Sequence, residues 1–162
     1  MQTAPIPGDE EGRLTALHKL AILDTKPEKR FDDLTKEATE KLQVPISTIS
    51  IIDSKREWYK SCQGLNQKEG SREVSFCGHA LLSKYIFIVQ DTLKDPRFAD
   101  NPMVIGEPYI RFYAGIALHE NETDKPIGVF CVKDIKPRQL SIQEVGILVD
   151  IADRAEKELN KK

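Results

Sequence analysis

The sequence places a cysteine and a histidine two positions apart, in a stretch that otherwise favours a short helix (residues 72–83). Cys77 and His79 could act as a nucleophile and its base, because a histidine can take the proton of a thiol. In a helix, however, side chains two positions apart point to different sides. We therefore expect Cys77 to be a buried thiol and His79 to be a hydrogen-bonding residue between helix and loop. Neither is predicted to be catalytic.

Three cysteines, Cys62, Cys77 and Cys131, could also form disulfides or bind a metal. Their odd number and long spacings favour free thiols in a reducing compartment over a disulfide framework. A structural zinc site needs about four ligands at characteristic spacings, and Cys77 and His79 with one distant cysteine fall short of that. We predict no metal site, and the residues identify no cofactor.

Further polar side chains come from a long loop at residues 91–108 and from the strands around it. A loop of this length inside a compact domain is uncommon and often functional. Ligand pockets are mostly apolar, with a few convergent polar groups that orient the ligand. We predict a pocket formed by the first strand, the short helix, this loop and the strand after it. Its candidate ligand-binding residues are Thr48, Ser50, Phe76, Cys77, His79, Asp95, Arg97, Asn101, Arg111 and Tyr113.

Three of these candidates have a structural alternative. Asp95 can cap the backbone amides of its own turn, and Arg97 can pair with a local carboxylate. Arg111 can pair with a charge in the loop that covers its strand. In that case the three residues hold the loop in place and do not contact a ligand.

Length and composition describe one globular domain over residues 1–162. A chain of 162 residues can bury about two-thirds of its unfolded surface, which is enough for a core without metal or disulfides. Its formal net charge of -2 lacks the concentrated basic field that nucleic acids and anionic membranes attract. No apolar run approaches the roughly 20 residues of a membrane span, and the first residues do not form a signal peptide. We therefore predict a cytoplasmic protein that binds neither nucleic acid nor membrane.

Apolar spacing and turn residues predict the secondary structure of this domain. Helices are expected at residues 9–22, from Pro27 to Leu42 and at 141–160, where Ser141 and Glu144 have the spacing of a capping box. Strands are expected at residues 45–53, 57–62, 86–90, 109–119 and 126–133, with a loop at 64–70. The fold class is α+β: an antiparallel sheet of five or six strands, terminal helices packed on one face, and the short helix and long loops covering the other. Residues 1–8 are expected to be flexible.

The last helix carries an apolar seam at spacings of three and four residues. This seam can pack on the helix layer of its own domain, or its outer turns can pair with a second copy of the chain. The run of heptads is too short to form a coiled coil on its own. The sequence leaves both interpretations open.

Several blocks, in order along the chain, resemble the GAF domain family. They are ALHKLAILDT at residues 16–25, SFCGHA at 75–80, DPRFADNP at 95–102, IRFYAG at 110–115 and IGVFCV at 127–132. The resemblance is greatest to the GAF domains at the N-terminus of bacterial sensor histidine kinases and diguanylate cyclases. It implies a GAF-like, PAS-related fold and a sensory module of two-component or cyclic di-GMP signalling, which holds a small molecule between sheet and loops. It also implies a homodimer through the terminal helices and a kinase or cyclase as effector.

Other branches of the family that this chain resembles define the alternatives. Bilin-binding members have a cysteine followed at once by histidine, whereas here Gly78 intervenes, so covalent bilin attachment is not expected. Free methionine sulfoxide reductases of this fold also use three cysteines, which keeps a thiol-based redox enzyme or sensor at Cys77 as an alternative. A ligand-free dimerisation domain is another. We expect a signalling domain without catalytic activity of its own.

Overall fold

The computed structural model describes residues 1–161 and shows an α+β fold around one six-stranded sheet. The helices are α1 (Glu10–Lys19), α2 (Lys29–Leu42), α3 (Phe76–Ala80), α4 (Pro102–Ile105) and α5 (Ile142–Leu159). The strands are β1 (Ile46–Ile52), β2 (Arg56–Gln63), β3 (Glu69–Ser71), β4 (Phe87–Val89), β5 (Phe112–His119) and β6 (Pro126–Asp134). All neighbouring strands are antiparallel, in the order β3-β2-β1-β6-β5-β4. The predicted fold class is confirmed.

One face of the sheet, the helix face, is covered by α1, α2 and α5. α2 buries Phe31, Leu34, Ala38 and Leu42, because these apolar residues recur every three or four positions and form one stripe. α2 packs against α5 and against β1 and β2, while α5 also contacts β5. Phe130, on the central strand β6, is fully buried in this layer. The terminal helices therefore rest directly on the sheet.

α5 begins with the predicted capping box. The Glu144 amide donates to the Ser141 hydroxyl at 3.1 Å, and the Ser141 amide donates to the Glu144 carboxylate at 3.0 Å. These bonds satisfy amides that have no partner within the helix itself. Along the apolar seam, Leu148, Ile151 and Ala155 are buried within the domain. For these three residues the intramolecular interpretation of the seam is confirmed.

The other face, the lid face, is covered by α3, α4 and residues 91–111, which together form the lid. A second apolar cluster fills this layer, and it includes Phe76, Phe98, Val104, Ile110 and Tyr113. The sheet therefore separates an apolar helix layer from the lid. Within residues 1–161, no helix combines the length and apolar character needed to cross a bilayer.

Two segments predicted as loops contain regular structure. Residues 69–71 form β3, which pairs with β2. Residues 91–108 contain a 3-10 helix (Thr92–Lys94) and α4. Each of these short helices is capped by the preceding residue: the Asp91 carboxylate accepts the Leu93 amide at 3.1 Å, and the Asn101 side chain accepts the Met103 amide at 2.9 Å. The polar residues that predicted a loop are therefore helix caps.

Some predicted elements are shorter in the structure. α1 ends at Lys19 and not at residue 22, because Ala21 adopts a left-handed conformation with φ of 52°. The helix predicted from Pro27 begins at Lys29. The strand predicted from residue 109 begins at Phe112, after Tyr109 with φ of 57°. These left-handed residues end or delay an element in a way that apolar spacing does not reveal.

Candidate functional site

A row of small polar side chains crosses the middle of the lid face. Thr48 on β1 lies opposite Cys62 on β2 and opposite Cys131 on β6, and Ser50 lies opposite Tyr59. Residues that face each other across neighbouring strands point to the same side of a sheet. The Thr48 hydroxyl lies 2.8 Å from the Ser50 hydroxyl and 3.0 Å from the Cys131 sulfur. The centre of the lid face is therefore polar.

Two charged side chains extend this row to the ends of the lid face. Lys133 on β6 lies opposite Ile46, and Glu57 on β2 lies opposite Ile52. Lys133 is fully buried, and Glu57 is 1% exposed. Lys133 Nζ and Glu57 Oε2 have no hydrogen-bond partner among residues 1–161. Because a buried charge without a partner is strongly unfavourable, this arrangement marks a candidate functional site.

Lys133 keeps its positive charge although it is buried. Burial lowers the pKa of a lysine, but the nearby Cys131 and Glu57 outweigh this effect and raise the pKa of Lys133 above its usual range. The ammonium group offers three hydrogen-bond donors. The candidate site therefore holds a buried positive charge at Lys133, together with the buried acidic side chain of Glu57.

Two thiols meet beside this row. Cys77 and Cys131 are fully buried and close enough to shift each other's pKa, and the Tyr113 hydroxyl donates to the Cys77 sulfur at 3.1 Å. Burial raises the pKa of Cys77 well above its usual value. Burial also raises the pKa of Cys131, but the Cys77 hydrogen bond and the Lys133 charge outweigh it and lower the pKa to about 7. The predicted burial of Cys77 is confirmed, and Cys131 is the more acidic of the two thiols.

Aromatic rings fill the layer between the polar row and the lid. The ring of Phe76 stacks on Phe98, with centroids 4.3 Å apart, and on Tyr113 at 5.3 Å. His79 meets the edge of the Phe98 ring at 4.8 Å, and its Nε2 lies 3.2 Å from the Gln2 carbonyl. His79 is thus a hydrogen-bonding residue of the lid, as predicted. A ligand that reaches Lys133 has to displace part of this ring stack.

The polar residues predicted from the long loop brace the lid. Arg97 pairs with Asp95 at 2.7 Å, and Asp95 also accepts the Arg97 amide at 3.0 Å. The Asn101 amide group donates to the Val74 carbonyl at 2.9 Å, and Arg111 donates to a carbonyl of α4 at 2.9 Å. Asp95, Arg97 and Arg111 thus have partners within the lid, and Asn101 bonds Val74 just before α3. The predicted residues that the structure brings together at the polar row are Thr48, Ser50, Phe76, Cys77 and Tyr113.

The sequence-based prediction missed Lys133 and Glu57, which carry the charge of the site. Charged residues are mostly exposed, so a lysine and a glutamate near strand ends do not by themselves indicate a buried site. The signal that could have identified Lys133 is the alternation of side chains along β6 between the two faces of the sheet. Val129, Cys131 and Lys133 follow each other at a period of two and lie on the same face.

An ion network ties the lid to α1. Arg72, which precedes α3 and is 2% exposed, donates to Glu10 at 3.2 Å and to the Asp53 carbonyl at 3.1 Å. Arg13 donates to the same Glu10 carboxylate at 2.7 Å. Burial raises the pKa of Glu10, but the hydrogen bonds from Arg13 and Arg72 outweigh it and lower the pKa to about 2. A movement of the segment before α3 therefore acts on α1.

The N-terminal residues lie against the lid. The Gln2 amide donates to the Arg97 carbonyl at 3.0 Å, and the Ala4 amide donates to the Glu73 carbonyl at 2.9 Å. Gly78 permits this approach, because a Cβ at its position would lie 2.6 Å from the Ala4 Cβ. The flexibility expected for residues 1–8 concerns motion and stays a prediction.

Comparisons with known proteins show what the chain is similar to. Residues 26–159 match the family described as GAF domain. A cyclic di-GMP phosphodiesterase of Pseudomonas aeruginosa is 40% identical over 94% of this chain, and the chain spans 26% of that protein. The GAF domain of an Acinetobacter phosphoenolpyruvate-protein phosphotransferase, at 18% identity, has a TM-score of 0.67 over 91% of this chain and 92% of that one. A free methionine-R-sulfoxide reductase of Neisseria meningitidis, at 15% identity, has a TM-score of 0.64 over 98% and 96%.

These comparisons correct one expectation and establish the family. The expected absence of enzymatic activity is contradicted, because the relative at 40% identity is named as an enzyme and a sulfoxide reductase shares the fold. That expectation rested on the geometry of Cys77 and His79 and on the resemblance to signalling GAF domains. The family match covers most of the chain and agrees with the sheet, helix layer and lid described above. The chain belongs to the GAF domain family of sensory and regulatory modules.

Proposed function

We propose that this GAF domain binds a small molecule between the lid face and the lid, and that binding regulates another part of a signalling protein. The observation that carries the proposal is that Lys133 Nζ and Glu57 Oε2 are buried on the lid face without partners; the third such atom, Arg72 Nε, belongs to a guanidinium that already bonds Glu10. A ligand that hydrogen-bonds to them gains interactions that the protein does not make by itself. Beside them, the rings of Phe76 and Tyr113 offer the apolar surface that is typical of ligand pockets.

The signalling context is proposed from a relative. The matched protein of Pseudomonas aeruginosa is named as a cyclic di-GMP phosphodiesterase, and this chain corresponds to 26% of its length. We propose that the domain acts in cyclic di-GMP or two-component signalling, where its effector is a phosphodiesterase, a cyclase or a kinase. A cytoplasmic location is part of the proposal, because the three free thiols suit a reducing compartment.

The proposed mechanism is a shift between two positions of the lid. A ligand that binds one position better shifts the population by no more than the difference between its two affinities. The change reaches the helices by two routes. One is β6, where Lys133 faces the lid while the neighbouring Val132 packs in the helix layer, and the other is the Arg72–Glu10 ion pair. In a homodimer through the terminal helices, α1 and α5 would then change their packing against the second copy.

A thermal-shift screen tests the proposal. Among nucleotides, amino acids and tetrapyrroles, a ligand at a hundredfold excess over its dissociation constant should stabilise the protein by about 2.7 kcal/mol. Lys133→Met should abolish the shift, because it removes the ammonium group from the site. Lys60→Met replaces a buried lysine that bonds the Lys26 carbonyl beside the helix layer, and it should keep the shift.

Two outcomes of this screen would contradict the proposal. A ligand that stabilises Lys133→Met as strongly as the natural sequence would bind elsewhere. A screen without any stabilising compound would favour the ligand-free dimerisation domain.

A further inference from the structure

We infer that the ligand is an organic zwitterion whose two charges are separated by several bonds, with its anionic group on Lys133 and its cationic group on Glu57. This inference rests on the proposed function and names the ligand class of the same site. Two observations carry it. Lys133 Nζ and Glu57 Oε2, the unpartnered atoms on the lid face, belong to groups of opposite charge, and their side chains start from strand positions near opposite ends of that face.

A ligand with a single charge would leave one of the two buried charged groups without a partner. An anion at Lys133 alone leaves the Glu57 carboxylate buried without a partner, and it adds a negative charge to a region of low dielectric constant. A cation at Glu57 alone leaves the Lys133 ammonium buried without a partner and adds a positive charge to the same region. A molecule with both charges satisfies both groups and adds no net charge to the interior. The site therefore favours a zwitterion over a simple anion or cation.

Lys133 and Glu57 do not satisfy each other. Neither Lys133 Nζ nor Glu57 Oε2 has a hydrogen-bond partner in the described chain, although the charge of Glu57 is close enough to raise the pKa of Lys133. Their positions, opposite Ile46 and Ile52 of β1, are roughly 20 Å apart along the strand, at about 3.3 Å per residue. The long side chains at both ends shorten this gap. The ligand charges should therefore be spaced as in an ω-amino acid or a short peptide.

The middle of the site fits an uncharged chain. The hydroxyls of Thr48 and Ser50 lie 2.8 Å apart and bond to each other, so neither needs a charged partner. The ring of Phe76 in α3 stacks on the ring of Tyr113 on β5, and the two rings present apolar surface. Once part of the ring stack is displaced, a run of methylene or peptide groups can lie between the hydroxyls and the rings and join the charged ends.

A homologous series of ω-amino acids tests two requirements of the site: that the ligand carries both charges, and that these charges are several bonds apart. NMR titration of the purified protein with glycine, 4-aminobutanoate, 6-aminohexanoate and 8-aminooctanoate should show affinity that increases along the series to an optimum at a longer member. Hexanoate and hexylamine match 6-aminohexanoate in length but carry one charge each. They should bind about tenfold more weakly or worse, because each lacks one charged hydrogen bond.

Two substitutions assign the charges to the residues. Lys133→Met should weaken the binding of 6-aminohexanoate about tenfold or more but strengthen that of hexylamine, because the variant no longer has a buried positive charge beside the bound cation. Glu57→Gln, which removes a charge with little change of shape, should weaken the binding of 6-aminohexanoate by a similar factor but strengthen that of hexanoate, because the buried negative charge is gone. Circular dichroism checks that each variant is folded. Should Lys133→Met fail to fold, Glu57→Gln with the two singly charged compounds still decides the question.

Three results would overturn the inference. Equal affinities for 6-aminohexanoate and hexanoate, with no dependence on Glu57, would indicate a plain anion site, and the proposed function would stand. Binding that neither substitution changes would place the compounds elsewhere. No binding by any member of the series would leave ordered water as the partner of the two charges. The proposed function fails separately, when the broad screen finds no ligand that depends on Lys133.

Discussion

Removing both buried charges, with Glu57→Gln and Lys133→Met in one chain, is expected to raise the free energy of unfolding by about 1 to 4 kcal/mol. Both side chains are buried and have polar atoms without partners, so each carries a desolvation cost that no hydrogen bond offsets. Each single substitution leaves the other charge buried without an opposite charge. The single variants are therefore expected to be less stable than the double variant by about 3 kcal/mol or more.

Urea unfolding at pH 7 of the four proteins measures this effect as a double-mutant cycle. Lys60→Met is the matched control. The Lys60 side chain is equally buried, but its ammonium bonds Thr25 at 2.8 Å, the Lys26 carbonyl at 2.6 Å and Glu28 at 2.7 Å. Its replacement breaks satisfied bonds and should lower the free energy of unfolding. A double variant that is less stable than the natural sequence would show that the two charges are already satisfied within the protein.

A gain in stability from the loss of two charges would have a functional meaning. Proteins commonly keep unfavourable groups where binding or chemistry needs them, and replacing such groups increases stability while it removes function. The double variant should therefore combine a higher midpoint of unfolding with the loss of ligand-induced stabilisation.

Phe130→Ala is expected to lower the free energy of unfolding by about 3 to 5 kcal/mol. Phe130 is fully buried between the sheet and the helices, and truncating its ring leaves a cavity that the surrounding side chains cannot fill. Phe130 and Cys131 are neighbours on β6 and face opposite sides of the sheet. The packing of Phe130 against the helix layer is therefore also part of the proposed route from lid to helices. The variant should therefore weaken the effect of a ligand on the helix layer.

Equilibrium unfolding in urea also checks this prediction. Ile142→Ala is the control, because Ile142 is 89% exposed and its truncation should change the free energy of unfolding by no more than about 0.5 kcal/mol. A loss below 1 kcal/mol for Phe130→Ala would contradict the direct packing of the helices on the sheet.

The elements that follow simple periodicity were predictable from the sequence. The stripe of α2 repeats every three or four residues, and the capping box of α5 is local, so neither needs knowledge of the rest of the chain. The alternation of β1 likewise placed Thr48 and Ser50 on the face opposite Ile49 and Ile51. These predictions survive because each depends on neighbours within one element.

The charged part of the site was not predictable in the same way. Burial of Lys133 depends on how β6 is covered, which no local pattern encodes. The roles of Asp95 and Arg97 were also ambiguous, because a carboxylate and a guanidinium two residues apart can bind a ligand or each other. In the structure they bind each other at 2.7 Å. Tertiary contacts, and not residue types, decided these cases.

Native mass spectrometry tests most directly whether the site between sheet and lid binds a small molecule. The purified protein would be incubated with the small-molecule fraction of a bacterial lysate and compared with the Glu57→Gln, Lys133→Met double variant. We expect a bound mass on the natural sequence that is absent from the double variant, and the same spectra report the number of subunits. The same bound mass on both proteins, or none on either, would contradict a ligand site at Lys133 and Glu57.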